Sequence, residues 1–279
     1  MKLDTDRKFV EVIDMKKIIT KRAWIGLWLW ANVCGFSLWA DETKAATFPR
    51  RVIKPIEFVE GNVTGEVNDE LLAKLLNRKL IVGAEDGYEF LKKDEDSAYL
   101  KTETVAQYRK ARAEGAGPWT TFDINKDSFF VTAGGVLRFL EKSKDAEKSA
   151  FKDTWMRELS MSLISWVGSD EEVIYERDKA AGVSLADYAK DKKIKFTESS
   201  AKRLEFETEY KLYAVEWEAS GDYDGDGFED RLISLAWYYK GGTGRGYDTY
   251  LAKYPDPKKS VVLLEDFRQV EFRTADEVD

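Results

Sequence analysis

Along the first two thirds of the chain, apolar residues recur mostly at helical spacing; along the last third they mostly alternate with polar ones. Residues 41–66 read as extended, with alternation over Arg51–Val59 and glycine punctuation at Gly61 and Gly65. The spacing then predicts a helix over Asn68–Asn77, where Leu71, Leu72, Leu75 and Leu76 share a face and Asn68 can cap. A second helix is predicted over Thr102–Glu114, on Val105, Tyr108 and Ala111, with Gly115–Trp119 ending it. Phe122–Asp127 reads as a loop. Within it Asp123, Asn125 and Asp127 alternate like cation ligands, but Lys126 stands where a glycine or an acid is wanted, so a turn is expected. Val131 and Thr132 then cap a helix over Ala133–Lys142. A long helix is expected over Ala146–Val167 on Phe151, Trp155, Leu159, Leu163 and Trp166, followed by helices over 171–181 and Ser184–Asp191.

Past the charged stretch Lys190–Lys195 the period changes. Strands are predicted over Leu204–Leu212, Tyr213–Glu218, Leu232–Tyr239, Tyr247–Tyr254, Val261–Leu264 and Val270–Phe272, with short separations that favour an antiparallel meander. The expected fold class is α+β: a mainly helical part over residues 41–200, then an antiparallel β part over 201–279.

The separation between the second and third of these strands carries the most informative chemistry. Asp222-Tyr-Asp-Gly-Asp-Gly-Phe-Glu-Asp230 puts carboxylates at the first, third, fifth and ninth places and a glycine at the sixth. Such spacing suits a hard divalent cation, and Ca2+ takes six to eight oxygen ligands. Asp222, Asp224 and Asp226 would fill the first three ligand places. Gly227 permits the sharp turn, the Phe228 carbonyl points inward, and Asp230 binds directly or through water. An EF-hand would have a bidentate Glu at the twelfth place; here that place is Ile233, and both flanks are strand-like. Over residues 211–240 the segment resembles the DxDxDG calcium loops of integrin-type (FG-GAP) repeats. The resemblance implies calcium at Asp222, Asp224, Asp226, Phe228 and Asp230. It carries no propeller, because the motif occurs once. The competing reading is a solvated acidic hairpin turn, since Asp-Gly pairs favour turns.

Met15–Arg22 is a positive segment, Ala23–Phe36 an apolar run, and Ser37–Ala40 a small-residue exit followed by Asp41 and Glu42. That is the pattern of a secretory leader, cleaved near residue 40, with Met15 as the expected start and residues 1–14 as a gene-start artefact. The alternative is an uncleaved anchor, for which the run is short of about 20 residues. Residues 1–40 hold seven of the 44 basic residues, four of the 52 acidic ones and the single cysteine, Cys34. The remainder therefore carries a net charge of −11 and no thiol. That composition argues against nucleic acid and anionic membranes as partners and against stable membrane insertion after cleavage. Periplasmic or extracellular calcium would suit a weak site.

The chain has no histidine. Ser-His-Asp triads, Cys-His pairs and His-based zinc sites are excluded, and a carboxylate pair is the main catalytic option left. Gly241–Gly246 lacks the lysine of a P-loop and lies between strands, so a hairpin connection is expected, with anion contact through Arg245 as the alternative. Tyr238, Tyr239, Tyr247 and Tyr250 flank it, for cross-strand packing or for stacking on sugars. The leading expectation is an exported, non-catalytic calcium-binding protein with an unknown protein or glycan partner. A secreted carboxylate-dependent glycan hydrolase is the alternative from a different class, and a periplasmic inhibitor or immunity protein is a third.

Overall fold

The computed structural model describes residues 47–82, 88–164, 176, 182–190, 194–253 and 262–267. The chain divides into two compact units, Met1–Thr43 and Lys44–Asp279, and every described residue belongs to the second. The leader, the helix predicted over 171–181 (apart from helical Glu176) and the strand predicted over Val270–Phe272 lie outside the described residues.

The second unit combines helices with a mostly antiparallel sheet. Its strands are β1 (Arg51–Ile56), β2 (Val63–Glu66), β5 (Lys195–Ser199), β6 (Arg203–Glu207), β7 (Lys211–Gly221), β8 (Asp230–Tyr239), β9 (Arg245–Lys253) and β10 (Leu263–Asp266). Two short strands, β3 (Glu89–Leu91) and β4 (Leu100–Lys101), pair separately. The main sheet runs β10-β9-β8-β7-β1-β2. β7 is long enough to serve two neighbours on one edge. Its first half pairs with β6, from Arg203↔Glu216 to Glu207↔Leu212, and its end pairs with β1, at Val52↔Ala219 and Arg51↔Ser220.

Successive side chains on a strand point to opposite faces, and here both faces are covered. On one face Ala219, Leu232 and Leu251 join a core with Phe130, Phe139 and Leu140 from the helices. On the other, Val215, Ile233, Leu235 and Ala252 meet Trp155, Met156, Leu159 and Leu185. Burial of each such aliphatic side chain is worth about 1.5–3 kcal/mol, so this double coverage supplies much of the fold's stability.

Three helices cover the first face: α1 (Asp69–Leu75), α2 (Val105–Ala113) and α3 (Thr121–Lys142). Each begins at a side-chain cap. Asn68 Oδ1 accepts the Leu71 N–H at 2.8 Å, and Thr104 forms a capping box with Gln107. Thr120 forms one with Asp123, which overturns the expected loop over Phe122–Asp127: the box starts α3 there, and the helix runs unbroken to Lys142. Thr132 therefore caps nothing. It lies mid-helix and returns its hydroxyl to the Ser128 carbonyl at 2.8 Å.

The long helix expected over Ala146–Val167 is also absent over its described residues. Only the short 3-10 turns Trp155–Glu158 and Met161–Leu163 form, because the backbone groups of Lys144–Lys148 bond elsewhere, as described below. The apolar residues that suggested a helix are buried all the same, Trp155, Leu159 and Leu163 in the second core. A further helix, α4 (Leu185–Lys190), follows Ser184, whose Oγ accepts the Asp187 N–H. Among the described residues no helix is long and apolar enough to cross a membrane.

Candidate metal centre

Asp222–Asp230 closes the β7–β8 hairpin, whose last paired residues are Gly221 and Asp230. Each aspartate side chain of the motif turns back onto the loop's own backbone. Buried Asp222 accepts the Gly225 N–H on Oδ1 at 2.7 Å and the Gly227 N–H on Oδ2 at 3.0 Å. Asp224 accepts the Asp226 N–H at 3.3 Å, and Asp226 accepts the Phe228 N–H at 2.8 Å. Gly225 and Gly227 hold φ of 80° and 85°, a region that costs a residue with a Cβ roughly 1–2 kcal/mol.

These turns bring one oxygen each of Asp222, Asp224 and Asp226 within 4.8 Å of one another, a group that could hold a metal ion. Unit charges at that separation repel by about 3 kcal/mol per pair at an effective dielectric near 20. The backbone N–H donors offset part of this, and Lys253 from β9 offsets more through its ion pair with Asp224 at 2.9 Å. Burial pushes the Asp224 carboxyl up, but the Lys253 ammonium and the loop's backbone N–H groups together outweigh it and the net shift is downward.

Asp230 lies outside the close trio. Its Oδ2 accepts the Tyr223 N–H at 2.8 Å, and burial pushes its carboxyl up to about 7, with the charges of Asp224 and Asp226 acting in the same direction. Phe228 is half-exposed, and its N–H is committed to Asp226.

The loop is clasped from the side by Lys144–Lys148, whose last three residues fall in the run expected to be helical. Lys144 and Asp222 exchange both backbone hydrogen bonds, at 2.8 and 2.9 Å. The N–H groups of Glu147 and Lys148 both donate to the Gly227 carbonyl, and the Glu229 N–H donates to the Lys148 carbonyl at 2.8 Å. The Glu147 carboxylate stands beside the loop, its Oε2 3.7 Å from where a Cβ on Gly227 would lie.

Two side chains root the loop in the two cores. Tyr223 stacks on Phe139, ring centres 5.5 Å apart and nearly parallel. Glu229 pairs with Arg231 at 3.2 Å, and that guanidinium sits 3.9 Å from the Trp217 ring centre and 4.1 Å from that of Phe151.

Lys253, Glu147 and the clasp were not visible in the spacing of the motif, because each comes from another part of the chain. The glycine-rich run was visible but for a different reason than phosphate binding. It forms the β8–β9 connection, and a Cβ on Gly246 would stand 2.4 Å from the Trp237 indole and one on Gly244 2.5 Å from the Tyr239 ring. Arg245 donates to Asn125 Oδ1 at 3.2 Å. The tyrosines split between faces: Tyr250 packs in the second core, whereas Tyr238 and Tyr247 lie on the α3 side.

No family model, curated protein or solved structure matches the chain, so the meaning of the loop rests on its own donors.

Proposed function

We propose that the protein is an exported calcium-binding module in which Asp222–Asp230 holds one Ca2+ as a structural staple. The observation that carries this reading is the convergence of the Asp222, Asp224 and Asp226 carboxylates on a turn braced by its own N–H groups. Asp222, Asp224 and Asp226 each supply an oxygen, the Phe228 carbonyl adds another, and Asp230 binds directly or through water. A compact set with several carboxylates and a carbonyl suits Ca2+ better than Mg2+, which keeps its waters and demands stricter octahedral geometry.

The ion's effect would be mechanical. It cancels repulsion within the hairpin turn, and because Lys144–Lys148 bond to that same turn it also fixes the clasp. The export expectation agrees with such a site, since calcium is plentiful outside the cytosol. The acidic balance and the lack of histidine support a non-catalytic role with a protein or glycan partner.

Thermal melting of the full chain with and without a chelator tests the reading. Calcium at a hundred times its Kd should stabilise by about 2.7 kcal/mol. That corresponds to a rise of about 5–10 °C in Tm for a domain of this size, and Asp224→Ala should abolish the rise. Identical melting in calcium and in chelator would remove the calcium reading.

A further inference from the structure

A second site lies between the N-terminal half of α3 and the sheet. The C-terminal half of α3 packs against the core through Val136, Phe139 and Leu140. Beside its N-terminal half lies a cavity of about 740 Å3, lined by Thr121, Ile124, Ser128 and Phe129. Ile124 and Phe129 line it while 56% and 47% exposed, with Tyr238 of β8 also in the lining, so apolar walls are left uncovered among the described residues.

The polar end of the cavity is built differently from its walls. Glu218 is the extra residue of a β-bulge, inserted between the pairs Trp217↔Ile233 and Ala219↔Leu232. Bulges commonly re-aim a side chain beside a functional site, and this one places a carboxylate that is 3% exposed in the cavity lining. Its Oε1 accepts from the Ser234 hydroxyl at 2.5 Å, with the Lys54 ammonium 3.4 Å away. Tyr247 meets the hydroxyls of Ser234 and Thr132. Charges of opposite sign recur at the rim, where Glu57 and Arg245 both contribute to the lining.

We propose that this cavity binds a neutral, largely apolar small molecule with one hydrogen-bonding head, the head at Glu218, Ser234 and Tyr247 and the body against Ile124, Phe129 and Val136. The volume falls in the range of small-molecule sites, which run about 300–1,000 Å3 with apolar walls and a few convergent polar groups. Neutrality follows from the charges already paired at the head, where Lys54 lies between Glu216 and Glu218: an ionic ligand would have to break one of those pairs or enter with no partner of its own. Hydroxyls can donate or accept, so they suit an uncharged head of either polarity. The site is independent of the calcium loop. Ala236 on its floor is six residues along β8 from Asp230, about 20 Å at strand rise.

A matched probe pair tests it on the full chain: N-phenyl-1-naphthylamine, neutral and apolar with one N–H, and its 8-sulfonate, the same skeleton carrying a charge. The expected result is saturable one-to-one binding of the neutral probe, seen as a fluorescence rise. The sulfonate should bind at least about tenfold more weakly, the cost of a buried unpaired charge. Ser128→Trp on the exposed helix wall and Ala236→Trp on the sheet floor should each abolish binding, with melting curves confirming that each variant folds. Glu218→Gln removes the buried negative charge while Lys54 keeps Glu216, so the sulfonate should gain and the gap between the two probes should narrow. No saturable binding of the neutral probe, equal or tighter binding of the sulfonate, or binding unchanged by both tryptophan variants would overturn the proposal. Sugar release from a glycan, lost in Glu218→Gln while probe binding persists, would instead assign the cavity to a hydrolase and overturn it too.

Discussion

Two stretches of this chain place oxygen-bearing side chains at alternate positions, and they fold in opposite ways. Asp123, Asn125 and Asp127 fall in the first turns of α3; Asp222, Asp224 and Asp226 fall in a tight hairpin turn. In the helix, residues two apart point in different directions, so the three side chains disperse. Asp123 turns back to accept the Thr120 N–H at 2.9 Å, Asn125 meets Arg245, and Asp127 accepts the Tyr108 hydroxyl at 3.0 Å. In the hairpin, Gly225 and Gly227 adopt positive φ and the three carboxylates converge. The comparison teaches that alternation of acids does not make a cation site. The residues between them decide: Ile124 and Lys126 continue a helix, Gly225 and Gly227 curl a loop.

The largest expected effect comes from Asp222→Ala. It removes one converging carboxylate and the acceptor of two loop N–H groups, a loss of about 3 kcal/mol for hydrogen bonds to a charged group. Urea unfolding in chelator reads that loss, and calcium should no longer shift the midpoint. Gly227→Ala comes next. It should cost about 1–2 kcal/mol through its left-handed backbone and weaken calcium binding as the turn opens. Asp123→Ala is the control from the other stretch. It should cost about 1 kcal/mol as a lost capping-box partner, with the calcium response intact. A lost calcium response in Asp123→Ala would break the comparison.

Much of the architecture was legible because it is local. The Asn68 cap, the helix over Val105–Ala113 with its glycine stop, and the alternation of β7 through β9 all follow from neighbours in sequence. So do the central carboxylates, whose spacing together with Gly225 and Gly227 encodes their convergence. What was not legible depends on distant partners. Glu147 and Lys148 belong to an amphipathic run that suits a helix, yet their N–H groups bond to Gly227, eighty residues on. The bulge at Glu218 depends on register with β8, and Lys253 reaches Asp224 only because β9 lies beside β8. The start of α3 is local as well: Thr120 and Asp123 encode a capping box, which outweighs the alternation of Asp123, Asn125 and Asp127.

Smaller effects sharpen the contrast. Lys253 competes with a cation for Asp224, so Lys253→Met should tighten calcium binding by about twofold to fivefold, within the range of one partly exposed ion pair. In the helical stretch, burial raises the Asp127 carboxyl above its ordinary value, partly opposed by the Tyr108 hydroxyl and Arg112. The folded state then holds that proton more tightly than the unfolded chain. Its contribution is favourable at low pH and fades as pH rises from the ordinary carboxylate range through the raised value. Asp127→Asn should flatten that part of the melting profile by less than about 1 kcal/mol, since water reaches the group.

The central claim is that the hairpin turn, and no other acidic stretch, holds calcium. Isothermal titration of the full chain with Ca2+ tests it most directly, alongside Asp226→Ala and Asp123→Ala. The account predicts one site per chain, lost in Asp226→Ala and kept in Asp123→Ala. Absence of a binding heat in the unaltered chain, or a site that survives Asp226→Ala, would contradict it.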